Sequence, residues 1–86
     1  MMILTQSNQW VNLAYVATID TYEGKYKDEN GNEIPAYQIV AKLHSGDEAV
    51  LGVYENESDI EDILTNTLAD CLNSDCHIFK MPKDRR

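Results

Sequence analysis

Apolar and polar residues alternate through the middle of the chain. Tyr37, Ile39, Ala41 and Leu43 fall on one side of an extended backbone and Gln38, Val40 and Lys42 on the other, the period of two that marks a strand. Glu48 to Tyr54 returns as its hairpin partner across a turn at His44-Ser45-Gly46-Asp47, where Gly46 accepts positive φ. Tyr15 to Tyr22 is rich in β-branched and aromatic residues and reads as a strand. Ahead of it, Ile3-Leu4-Thr5 and Gln9 to Asn12 flank Gln6-Ser7-Asn8 as a tight hairpin, with a kink at Asn12-Leu13-Ala14.

The period changes near residue 58. Ile60, Ile63, Leu64, Thr67, Leu68, Cys71 and Leu72 recur at three- and four-residue steps, a single stripe that predicts a helix over about 58–73. Ser58 with Glu61 predicts a capping box. Asp59, Glu61 and Asp62 sit in the first turn, where the helix dipole favours negative charge. Cys76 to Met81 then predicts a short last strand, stopped at Pro82. The expected fold is α+β in one domain over residues 1–86. It is a curved antiparallel sheet of about five to six strands, with the helix on one face and a short strand after it.

Asp28, Asn30 and Asn32 alternate as the first ligands of an EF-hand loop do. Counted from Asp28, however, position 6 is Glu33 and position 12 is Ile39, where that loop needs Gly and a bidentate Glu. The pattern reads instead as a turn, with Asn30-Gly31 suited to type I′. Segment 23–35 is long for a hairpin connection, so it is either a protruding arm made by extending two strands or a binding loop.

Composition narrows the classes. The 86 residues carry 15 acidic and 7 basic side chains, a net −8. Residues 80–86 hold a net +3 in a basic tail over 82–86 and the lysine before it, which leaves −11 on residues 1–79. Such a body repels phosphate backbones, so direct nucleic-acid binding is not expected. No apolar run reaches the ~20 residues of a membrane span, and MMILTQSNQW has neither the basic nor the apolar region of a signal peptide. A cytoplasmic location and no membrane contact are the expectations.

Candidate chemistry is sparse. Cys71, Cys76 and His77 give one C-x4-C-H group, short of the paired spacings of a structural zinc site. Adjacent Cys76 and His77 on a strand point to opposite faces and make a poor nucleophile–base pair. Glu55, Glu57, Asp59, Glu61 and Asp62 read as helix capping and solvated surface rather than converging catalytic carboxylates. No catalytic residue, metal or cofactor is expected. The aromatic residues are the remaining resource: Trp10, Tyr22, Tyr26, Tyr37 and Tyr54 are the candidates for a partner-binding surface.

The order of these elements resembles the small FlbD-type proteins of bacterial flagellar operons. The residues that carry the likeness are Ile3-Leu4-Thr5, Val11-Asn12, Val16, Ile19, Asp20, Val40 to Leu43, Gly46, Glu48 to Val53, and Glu57-Ser58 opening the Ile60/Ile63/Leu64 helix. The resemblance implies a small bacterial accessory protein without enzymatic activity. The expectation is thus a protein that acts by binding another protein and itself, as a dimer. The alternative is an acidic nucleic-acid mimic of a mobile element that occupies a DNA-binding protein, which requires carboxylates in two rows across one face.

Overall fold

The computed structural model describes residues 1–74 and 77–83. Strands β1 (Met2–Leu4) and β2 (Trp10–Asn12) form the first hairpin. A 3-10 turn, Leu13–Tyr15, leads into β3 (Val16–Lys27), β4 (Glu33–Leu43) and β5 (Glu48–Tyr54). Helix α1 spans residues 57–73, and β6 (Ile78–Lys80) is the last strand among the described residues.

The class is α+β, but the strands do not share one antiparallel sheet. They form two sheets of three, ordered β2-β1-β6 and β3-β4-β5, and β6 runs parallel to β1. The kink expected at Asn12 is the cause. Asn12 Oδ1 accepts the Ala14 N–H at 3.0 Å and caps the 3-10 turn, so the chain leaves the first sheet before β3 begins. The sheets meet at Gln6. Its N–H donates to the Leu51 carbonyl at 3.0 Å, and its Oε1 accepts from Val53 N at 2.7 Å. One core draws on both sheets and the helix: Ile3, Val11 and Phe79 from the first sheet, Ile39, Leu51 and Tyr54 from the second, and Ile60, Ile63 and Leu68 from α1.

All three hairpin loops have one design. Thr5 N donates to Gln9 O, Asp28 N to Asn32 O and Leu43 N to Asp47 O; in each loop the fourth residue also donates back to the first carbonyl. That fourth residue is Asn8, Gly31 or Gly46, with φ of 64°, 80° and 94°. This is the three-residue loop closed by a left-handed residue. The type I′ expectation at Asn30-Gly31 is corrected, because only Gly31 of the pair has positive φ. Asp28 Oδ1 accepts from Asn30 N and Asn32 N, both at 2.9 Å, so the alternating Asp and Asn residues stitch a turn. L-residues with a Cβ cost roughly 1–2 kcal/mol in this conformation, and Asn bears it best. Gly46→Ala is therefore expected to lose about 1 kcal/mol, and Asn8→Gly to change stability little or raise it; urea unfolding of both variants checks this.

Segment 23–35 is an arm of two paired strands. Register runs unbroken from Thr18↔Lys42 to Lys27↔Glu33, and the molecule's longest axis is 44 Å against 27 and 20 Å. The capping box at Ser58 is also corrected. The helix starts at Glu57 behind Asn56, whose side chain makes no cap bond. Within α1, Ile63–Thr67 is a π-helical turn, so the buried positions Ile60, Ile63, Leu68 and Cys71 step by three, five and three. The extra residue pushes Thr67 out to solvent and leaves Leu72 51% exposed.

Candidate protein-binding faces

The five aromatic residues singled out from sequence do not form one surface. Tyr54 is in the core at 1% exposure, its hydroxyl donating to the Pro82 carbonyl at 2.7 Å. Tyr37 packs on the core side of β4 and lines a groove against α1 with Glu23, Glu57, Glu61 and Leu64. Tyr22 and Tyr26 are exposed on the opposite face of the long sheet, and Trp10 is exposed on the small sheet.

The long sheet has one face on the core, through Ile19, Ile39 and Ala41. Alternation and register place Thr18, Asp20, Tyr22 and Tyr26 of β3, Ile34, Gln38, Val40 and Lys42 of β4, and Glu48, Val50 and Val53 of β5 on the other face. Helix α1 packs on the core side, through Ile60, Ile63 and Leu68. Val40 is nevertheless 3% exposed, sealed by its own neighbours: Asp20 on β3 and Val50 on β5 stand opposite it in register. Val50, Val53 and Tyr22 remain exposed near it, and Tyr26 is exposed farther out on the arm, opposite Ile34.

Polar contacts hold the tyrosine rings of this face. Lys42 Nζ lies 5.8 Å from the Tyr22 ring centroid and 3.6 Å from Asp20 Oδ2, while Thr18 Oγ1 donates to the same Asp20 oxygen at 3.2 Å. The Tyr22 phenol first, and the Asp20 carboxylate after it, hold the Lys42 ammonium above the ordinary lysine range. Tyr26 donates its hydroxyl to Glu55 Oε1 at 2.9 Å. The carboxylates of this face, Asp20 and Glu48 with Glu55 beyond the strand, are scattered rather than set in two rows.

The small sheet presents a different face. Ile3, Val11 and Phe79 point to the core, which leaves Met2, Leu4, Trp10, Asn12, Ile78 and Lys80 on the outer side in cross-strand register. Trp10 is 54% exposed and Ile78 60%. Trp10 and Met2 also line a groove with Tyr15, itself 66% exposed. Tyr15 and Ile78 were not among the sequence candidates. Tyr15 looked like the first residue of a strand, whereas the 3-10 turn carries it outward.

No group of three or more metal-binding side chains comes together among the described residues. Cys71 is buried, its thiol directed at the Ile78 carbonyl at 3.9 Å. Cys76 lies outside the described residues, as do residues 84–86 of the basic tail. Lys83, where that tail enters, lines a cleft with Asp59 and Asp62 of α1. No helix among the described residues is long and apolar enough to cross a membrane. Compared with protein-family models, curated proteins and solved structures, the chain matches none of them.

Proposed function

We propose that this is a small non-enzymatic accessory protein that acts by binding another protein through the outer face of the β3-β4-β5 sheet. The observation that carries the reading is the apolar patch of that face, the exposed Val50, Val53 and Tyr22 around the buried Val40. An apolar centre with a polar rim is the anatomy of a protein interface. The rim is acidic, through Asp20, Glu48 and Glu55, on a chain of net −8. The partner chemistry that fits is therefore an apolar patch surrounded by Lys and Arg, with association weakened by salt.

The test compares two tagged baits, the wild-type protein and Val50→Lys. Val50 is 45% exposed, so the substitution leaves the core intact. The expected result is a basic protein held by the first bait and lost from the second. With the purified pair, calorimetry should then show a negative heat-capacity change and an affinity reduced by roughly tenfold or more in the variant. Equal binding to both baits would remove this face from the interaction.

A further inference from the structure

We infer that the outer face of the small sheet, with Trp10 and Ile78, together with the adjoining groove that Tyr15 lines, is covered by a second copy of this chain. The inference concerns a different face from the one proposed above and does not depend on it.

Charge chooses the occupant. The chain has 15 carboxylate side chains and a net charge of −8, so two copies repel one another over most of their surface. On the described outer face of β2-β1-β6 the one charged side chain is Lys80. No residue lining the adjoining groove is charged. Like-charged copies can approach closely where carboxylates are missing, and among the described residues this face meets that condition. A basic partner would gain nothing from it, because it offers no acidic group to pair. The outer face of the long sheet, rimmed by Asp20, Glu48 and Glu55, has the opposite character.

Area supports the same occupant. Trp10, Tyr15 and Ile78 each leave more than half of their surface in water, on the order of 400 Å² together on the 150–250 Å² scale of large side chains. A standard interface buries about 800 Å² per partner. Met2, Leu4, Asn12 and the Lys80 stem lie in register around the exposed rings and extend the patch toward that size. A two-fold arrangement places the patch against itself, with each copy's Trp10 near the centre. The aromatic side chain then becomes the fully desolvated anchor of the contact.

Trp10 is the single tryptophan of the chain, so its emission reports on this face directly. The experiment joins light scattering with tryptophan fluorescence from low to high micromolar protein, at low and high salt. The expected mass rises from 9.8 kDa to twice that value, with a blue shift of emission over the same concentration range and tighter association at high salt. Ile78→Glu places a carboxylate on the face and Tyr15→Glu one in the adjoining groove, both at exposed positions. Each should weaken association by at least tenfold while far-UV circular dichroism stays unchanged, and Val50→Glu should leave the mass as in the wild type. A constant 9.8 kDa at every concentration and salt overturns the inference. So does a dimer that survives both Glu substitutions, or one whose formation leaves Trp10 emission unshifted.

Discussion

Leu68→Ala is expected to destabilise the protein by about 2–5 kcal/mol, and Leu72→Ala by less than about 0.5 kcal/mol. Both leucines lie on the same stripe when the helix is read at 3.6 residues per turn. The π-helical turn at Ile63–Thr67 separates them. A regular helix places position 67 four residues after Ile63, on the core side. Here the five-residue step brings Leu68 there instead, at 4% exposure. The same shift turns Thr67 outward. Truncating Leu68 empties a site enclosed by the core cluster that joins both sheets to the helix. Truncating Leu72 removes atoms already half in water. A domain of this kind holds about 5–15 kcal/mol in total, so the first loss is a large share of stability. Guanidinium unfolding of the two variants measures the difference; equal losses would mean that the helix runs as a regular α-helix in solution.

The strands and the helix were legible in kind from the sequence, because hydrophobic periodicity changes from two to near four around residue 58. The three turns were legible in position, with Gly46 as a site of positive φ, but the type I′ reading at Asn30-Gly31 was not the geometry adopted. The partition into two sheets was not legible. It depends on one side-chain bond from Asn12 to Ala14 N and on β6 reaching β1 from the far end of the chain, and periodicity within a segment carries no information about which segment it pairs with. The π turn left a trace in the polar Thr67 between two core positions, which a 3.6-residue template passes over.

The candidate faces were less legible, and bulges explain the errors. Strict alternation from Glu48 places Val53 toward the core and Tyr54 outward. In the structure Leu51 is the extra residue, since Ile39 pairs with Gly52 and Val40 with Val50. The phase reverses there: Val53 faces solvent and Tyr54 enters the core. A second irregularity at Ala17 resets β3 between Val16 and Thr18. Gly52 was the available signal, because glycine inside a strand marks a bulge or a close approach. Tyr22, Tyr26 and Trp10 needed no such correction to their exposure.

Gly52→Ala is expected to cost about 1–3 kcal/mol, and the cost should fall by about 1 kcal/mol or more when Tyr54 is also replaced by Leu. A Cβ at position 52 would stand 2.8 Å from both Tyr54 Cε2 and the Tyr54 hydroxyl, and 3.1 Å from Gln6 Cδ. Neither neighbour has room to retreat. The Tyr54 ring is 1% exposed, and its hydroxyl is bound to the Pro82 carbonyl at 2.7 Å. Gln6 is held at three points, by Leu51 O, Val53 N and, through Nε2, the same Pro82 carbonyl at 3.0 Å. The methyl group must therefore displace the tie between the two sheets or push an aromatic ring out of the core. Shortening Tyr54 to Leu removes the ring atoms that the methyl group meets, and that variant alone loses the hydroxyl bond, worth about 0.5–1.5 kcal/mol. A double-mutant cycle by urea unfolding reads the coupling. A penalty at position 52 that is the same with Tyr54 and with Leu would show that the backbone of the bulge, rather than the buried ring, excludes a side chain there.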